Sequence, residues 1–215
     1  MSRDWADWHD AYDDPGSCLA RRLAAVREHV ATALAAAPPG PVRVVSMCAG
    51  QGRDLLGVLP GHPRRADVTA RLVELDPANV AAARAAATAA GLTGVAVVEG
   101  DAALTDAYAG AVPADLVLVC GVFGNVSDAD VHRIIDALPA FAAPGATVVW
   151  TRHREEPDLV PAINDWFAAA GFELAWLSAR DAGYGVGVHR FAGEHLPLPP
   201  GAVLFTFVGE PQPEP

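Results

Sequence analysis

The sequence predicts an α/β domain: a mostly parallel sheet with helices on both faces. Three observations predict it. From residue 42 onward, short β-branched apolar blocks alternate with Ala- and Leu-rich helical stretches. Gly, Pro and charged residues stand between the blocks. Hydrophobic residues make up 52% of the 215-residue chain, enough for one domain with its own core.

The elements follow in order. Residues 19–37 read as a helix carrying Arg21, Arg22 and Arg27, ended by Pro38-Pro39-Gly40-Pro41. Residues 42–47 form a buried strand and 52–59 a short helix. Residues 68–75 are the second strand. Residues 77–90 are a helix with Pro77 in its first turn and Gly91 past its end. Strands follow at 95–98 and 114–120. The helix 128–138 starts with acidic residues, as the helix dipole favours. Residues 146–151 are a strand, 158–170 a helix closed by Gly171, and 172–177 and 203–208 late strands. Val186 and Val188 favour a strand over 184–191. The last strands lack a long helix between them, which predicts an antiparallel hairpin at the end of the sheet. Residues 1–40 form an N-terminal helical segment, 41–209 the body and 210–215 a disordered tail.

Whole-chain properties exclude several functions. No apolar run nears the roughly 20 residues of a membrane span. The start, Met1-Ser2-Arg3-Asp4-Trp5, has no signal-peptide pattern. Cys18, Cys48 and Cys120 are odd in number, widely spaced and free of C-x-x-C, which fits free thiols in a reducing cytoplasm. A net charge of −11 disfavours DNA or RNA as a partner.

Four motifs carry candidate chemistry, each ending a strand. In Val44-Val45-Ser46-Met47-Cys48-Ala49-Gly50-Gln51-Gly52-Arg53-Asp54, a strand enters a glycine turn that lets backbone approach a ligand; the alternative is two packing glycines. In Arg71-Leu72-Val73-Glu74-Leu75-Asp76-Pro77, an acidic residue lies about 20 residues past the glycine turn, where nucleoside-binding folds accept ribose hydroxyls. Glu74 fits that role, and Asp76 fits a cap for the helix at Pro77. In Val97-Val98-Glu99-Gly100-Asp101-Ala102, Asp101 suits an adenine amino group or a local cap. In Asp115-Leu116-Val117-Leu118-Val119-Cys120-Gly121-Val122-Phe123-Gly124-Asn125, an apolar strand ends at a turn near the expected switch point, with Phe123 facing the core or the ligand.

Together and in this order, these motifs resemble class I S-adenosylmethionine-dependent methyltransferases, best over residues 42–151. The resemblance implies a Rossmann-like three-layer sandwich with a seven-stranded sheet and an antiparallel last strand. It implies S-adenosylmethionine (SAM) as cofactor. It places the glycine loop at Ser46–Gly52, with Ser46, Cys48, Ala49, Gly50, Gly52 and Asp54 as cofactor residues. Glu74, with Leu75, takes the ribose position, and Gly100, Asp101 and Ala102 the adenine position. The loop with Cys120, Gly121 and Asn125 lies between methyl and acceptor. Two departures stand out: the family commonly has an acidic residue at Ser46 and Gly at Cys48. Since Cys48 carries a side chain, its backbone is expected to avoid positive φ. A dinucleotide oxidoreductase would want a third glycine where Leu55 stands. Glu74-Leu75-Asp76-Pro77 also resembles aminopropyltransferases, which bind a relative of the same cofactor.

On the acceptor side, methyl transfer demands alignment and exclusion of water, and a base only if the acceptor loses a proton. The run Asp4-Trp5-Ala6-Asp7-Trp8-His9-Asp10-Ala11-Tyr12-Asp13-Asp14 reads as a lid, with Trp8 and Tyr12 stacking on the ligand and His9 as base, or as an amphipathic helix packed on the domain. His153 and His189 are further candidate bases, His189 also suiting a core position. Arg152 and Arg154 suit an acidic acceptor unless Glu155 and Glu156 neutralise them. Asp128 and Asp130 read as helix capping, so no metal is expected. The function expected is methyl transfer to a small molecule; the alternatives are a macromolecular acceptor and a SAM-binding protein without catalysis. The oligomeric state is open between monomer and homodimer.

Overall fold

The computed structural model describes Asp14 and residues 16–208. The expected lid (Trp5, Trp8, His9 and Tyr12) and the expected tail lie outside the described residues. Seven strands form one sheet in the order β3-β2-β1-β4-β5-β7-β6. They are β1 Val42–Ser46, β2 Val68–Glu74, β3 Val95–Glu99, β4 Ala114–Val119, β5 Ala142–His153, β6 Phe172–Leu177 and β7 Tyr184–Phe191. Neighbours from β3 through β5 run parallel. β7 runs antiparallel to both β5 and β6, so the stretch 184–191 is the antiparallel strand and pairs with β6 as a hairpin. This is the Rossmann-like architecture the motifs imply.

The described helices are α1 Cys18–Ala36, α2 Pro77–Ala89, α3 Asp128–Ala137 and α4 Val160–Ala169. Each of the first three begins on a side-chain cap: Ser17 accepts from the Ala20 N–H, Asp76 from Ala78 and Asn79, and Ser127 from Asp130. These bonds satisfy amide groups that a helix start leaves without partners. α1 presents Val26, Val30 and Leu34 to the sheet, and α2 presents Val80, Ala83 and Ala87. Side chains of α1 and α2 and those of α3 and α4 belong to two separate apolar clusters, as three layers require. No helix among the described residues is long and apolar enough to cross a membrane.

Two expected elements are absent. Residues 52–59 do not form a helix but a chain of turns ending in a short 3-10 turn at Leu59–Gly61. Leu56 N–H bonds to Gly52 O, but the next carbonyl, that of Arg53, accepts from Arg27 Nε at 2.8 Å instead of carrying the helical ladder on. Gly57, Pro60 and Gly61 weaken the helix further. Residues 203–208 form no strand. They make two isolated antiparallel bridges, Leu104 to Val203 and Val126 to Phe207, because their partners are loops rather than a sheet edge. β5, by contrast, extends beyond the expected 146–151 at both ends.

Candidate cofactor and acceptor site

The order of the sheet reverses between β1 and β4, which flank the crevice where open α/β sheets bind ligands. β1 delivers the glycine turn there. Ser46 and Met47 are buried, and the chain then turns through Cys48, Gly50 and Gly52 with φ of 48°, 55° and 68°. Cys48 is therefore a correction: it is the positive-φ residue other than glycine among the described residues. The loop is tied on both sides, by Met47 N–H to Leu118 O and by Ala49 N–H to Val73 O, and these bonds hold the cysteine in the left-handed region. The glycines serve different ends. A Cβ on Gly52 would stand 2.8 Å from Leu56 and 2.9 Å from Leu72, so it would push both buried side chains aside, and the φ of 68° strains it besides. Among the described residues, a Cβ on Gly50 would meet nothing within 4 Å, so they leave that backbone open.

Glu74 ends β2 and locks the two loops together. One carboxylate oxygen accepts the Gly50 N–H at 2.7 Å and the other accepts the Asp76 N–H at 2.9 Å. Each oxygen keeps a lone pair for a further donor. Leu75, next in the chain, is 56% exposed and offers an apolar surface beside it. Gly100 N–H bonds to Glu74 O at 2.9 Å, bringing the post-β3 loop alongside. Asp101 is exposed and uses one oxygen to accept from Ala103 N–H at 2.8 Å. Ala102 is buried, and its carbonyl accepts from Tyr108 OH. Burial pushes the Cys48 thiol far above its ordinary range, and the Glu74 and Asp101 carboxylates push it further, which places all three within one electrostatic neighbourhood.

The post-β4 loop forms the other wall. Gly121, at φ 81°, donates to Thr151 Oγ1 at 2.8 Å, and an added Cβ there would meet nothing within 4 Å among the described residues. Asn125 Nδ2 closes the loop on Gly121 O at 2.6 Å. Phe123 is wholly buried against Trp150 and belongs to the core. Cys120 is half-buried, and burial raises its thiol well above the ordinary range. Asp54 is turned inward: it accepts from Leu55 N–H, and burial raises its carboxyl against the opposing pull of Arg27.

The ends of β5 and β7 are more occupied. Arg152 donates to Phe123 O and to Asp128, and Arg154 pairs with Asp158 at 3.0 Å while donating to Ser178 O and Tyr184 O. Glu155 and Glu156 do not neutralise these arginines; Asp128 and Asp158 do, and Glu156 pairs with Arg180 instead. Burial works against the charged form of Asp158, but the Val160 N–H and Arg154 outweigh it and hold the carboxyl below its ordinary range. His189 is 1% exposed, accepts from Trp150 Nε1 and stacks on Phe167, so it is a core histidine, held neutral by burial at a pKa of about 4. His153 faces the post-β4 loop as well: its ring lies 3.2 Å from where a Gly124 Cβ would stand. Its Nδ1 accepts from Glu155 N–H, so the neutral ring carries its proton on Nε2. Asp128 and Asp130 start α3, but Ser127 supplies the cap; Asp130 bonds Arg133 and Thr206 N–H.

Ser127 and Thr151 are thus site-ordering residues that sequence reasoning missed. Only Ser127 carried a signal, as Ser two residues past the loop and just before an acidic helix start.

The family model described as "Putative methyltransferase" matches residues 19–172, well over half of the chain. No curated protein matches the sequence. Among solved structures, the chain is similar to an O-methyltransferase family protein from Burkholderia thailandensis at 18% identity and a TM-score of 0.67, covering 89% of this chain and 61% of that one. It is also similar to magnesium protoporphyrin IX methyltransferase from Synechocystis PCC 6803 with bound SAM, at 15% identity and a TM-score of 0.66, covering 88% and 92%. A third is N,N-8-amino-8-demethyl-D-riboflavin dimethyltransferase from Streptomyces davawensis, at 22% identity and a TM-score of 0.51, covering 80% and 57%. The chain spans about six tenths of the first and third of these and nearly all of the second. Likeness at these identities speaks for a shared fold.

Proposed function

We propose that this chain, which belongs to the class I SAM-dependent methyltransferases, moves a methyl group onto a small-molecule acceptor by in-line displacement. The observation that carries the proposal is the bond between Glu74 and Gly50, which brings the first two motif loops together in front of open space. The residues present fit the cofactor. Gly50 and Gly121 leave room on either side of the crevice, Glu74 keeps lone pairs for ribose hydroxyls, and Leu75 and Asp101 supply an apolar face and an acceptor for adenine. Ser46, Cys48, Ala49, Gly52, Gly100, Ala102, Cys120 and Asn125 complete the proposed binding set; Asp54, bonded inward, supports the loop from beneath. SAM supplies an electrophilic methyl on a sulfonium centre.

The chain's own task is alignment and exclusion of water. The post-β4 loop, ordered by Asn125 and Thr151, stands where acceptor and methyl would meet. His153 faces it as a donor through Nε2, and acts as a base only once Nδ1 is released from Glu155. His9 and Tyr12 remain part of the proposal as a lid over the site. Substituting His9 and His153 and recording pH–rate profiles tests both as bases; unchanged profiles remove them.

A small-molecule acceptor is supported by the net charge of −11 and by the porphyrin and flavin substrates named for two of the similar structures. Free Cys18, Cys48 and Cys120 support a cytoplasmic setting. A dinucleotide reading is weakened because the segment after the glycines is not a helix and presents no aligned helix N-terminus to a pyrophosphate. Calorimetry with SAM and S-adenosylhomocysteine (SAH) on the wild type, Glu74→Ala and Asp101→Ala, with NAD as control, tests the proposal. Binding lost in both variants with no NAD response supports it; a preference for NAD overturns it.

A further inference from the structure

The segment after β7 is a strap rather than a tail. It leaves the end of β7, donates from Leu196 N–H to Pro139 O, and crosses to the cofactor face. There it is riveted at one buried residue. Thr105 N–H donates to Ala202 O, Thr105 Oγ1 donates to Pro199 O at 2.7 Å, and the same hydroxyl accepts from Ala202 N–H at 3.0 Å. Asp106 adds an acceptor for Gly201 N–H at 2.8 Å. Beyond the rivet, the strap touches both walls of the crevice. Leu204 N–H donates to Ala103 O, two residues from Asp101, and Val208 N–H donates to the carbonyl of Asn125. Between them, Phe205 is buried in the core and Thr206 N–H reaches Asp130 at the start of α3.

Two loops that start from different strands are therefore joined by one short backbone run, residues 204–208. A loop held before its ligand arrives binds with less ordering cost than a loop that must be fixed on arrival. We propose that Thr105 is a positioning residue: by fixing the strap it holds the adenine-side loop at Ala103 and the methyl-side loop at Asn125 in register for the cofactor. The inference rests on the SAM-binding reading of the crevice. Thr105 itself touches the strap and not the crevice.

Calorimetric titration of the full chain with SAH tests it, using wild type, Thr105→Val and Thr105→Ser, each checked for native circular dichroism. The valine keeps the shape and removes the hydroxyl, leaving Pro199 O and Ala202 N–H without their partner; the SAH Kd is expected to rise about tenfold. The serine restores the hydroxyl and returns the Kd to near the wild-type value. A natively folded Thr105→Val that binds SAH as the wild type does overturns the inference. Should that variant fail to fold, Asp106→Ala, which frees only Gly201 at an exposed position, is expected to weaken SAH binding in the same direction. Unchanged affinity there overturns the inference equally. A wild type that binds no SAH overturns the SAM-binding reading and this inference with it, whereas wild-type binding with indifferent variants overturns this inference alone.

Discussion

The carboxyl edge of the sheet has two halves that look alike in sequence and differ in what they leave free. At the ends of β1 to β4, polar groups are pinned by backbone N–H groups yet keep unused capacity beside open space, as Glu74 does between Gly50 and Asp76. At the end of β5, Arg152 is held by Phe123 and Asp128 and Arg154 by Asp158, Ser178 and Tyr184, while His189 lies deeper in the sheet, opposite Val148, where its Nδ1 accepts from Trp150. A charged residue at a strand end is thus a binding candidate only when its partners leave it a vacancy. Hydrogen-bonding capacity, rather than residue type, separates the two halves.

The largest expected effect tests the consumed half. Arg154 and Asp158 are 9% and 7% exposed at the side chain. Arg154→Met keeps bulk but leaves the carboxylate facing an apolar neighbour, and stability in urea is expected to fall by about 3 kcal/mol. SAH affinity should stay unchanged. A stable Arg154→Met protein that no longer binds SAH would break the comparison, because it would make Arg154 a ligand-binding group.

The next test addresses the open half. Glu74→Ala removes the acceptor for two backbone N–H groups and the proposed acceptor for ribose hydroxyls. SAM affinity is expected to fall about a hundredfold, on the order of 2.7 kcal/mol. Calorimetry checks it, and an affinity within a factor of a few of the wild type would show that the spare lone pairs are not used.

What was legible in the sequence divides along the same line. The mostly parallel sheet, the Asp76 cap and Glu74 as the end of the second strand follow from local patterns, and each is present. The turns at 53–58 were not legible, because the carbonyl that breaks the helix is taken by Arg27 from another element. The strap was not legible either: residues 203–208 carry a strand-like pattern, but the chain delivers them to loops rather than to a free edge. The fates of Arg152 and Arg154 depend on Asp128 and Asp158, whose positions only the fold supplies. Long-range partners override local propensity in each case.

A smaller effect sharpens the consumed half through pH. His189 is held neutral, with its pKa lowered by burial from 6.5 to about 4. The unfolded chain therefore binds more protons than the native one between those values, so this residue's contribution falls as pH drops through that window. Between pH 7 and pH 5 the loss from this residue is on the order of 2 kcal/mol. His189→Phe retains a ring to stack on Phe167 and has nothing to titrate. Urea unfolding at the two pH values should show the wild type losing about 2 kcal/mol more than His189→Phe. Equal losses would mean that His189 takes up protons in the native state as readily as in the unfolded chain and is not held neutral by burial.

The smallest effect concerns strain in the open half. Cys48 holds a φ of 48° that costs a residue with a Cβ roughly 1–2 kcal/mol relative to the right-handed region. At ordinary positions glycine is less stable than alanine by about 0.5–1 kcal/mol, because it loses more freedom on folding. At position 48 the order should invert. Cys48→Ala loses the thiol's packing and keeps the strain; Cys48→Gly loses the same packing and releases it. Cys48→Gly is therefore expected to be the more stable of the two by about 1 kcal/mol, measured by urea unfolding of both variants at pH 7. Using the pair cancels the burial of the thiol, which a comparison with wild type would not. If alanine proves the more stable, the loop relaxes out of the left-handed region whenever the cysteine is gone, and Met47 and Ala49 do not fix it. If glycine does, the backbone bonds to Leu118 and Val73 dictate the turn whatever stands at 48, and the loop keeps its shape for the cofactor at the expense of the side chain it carries.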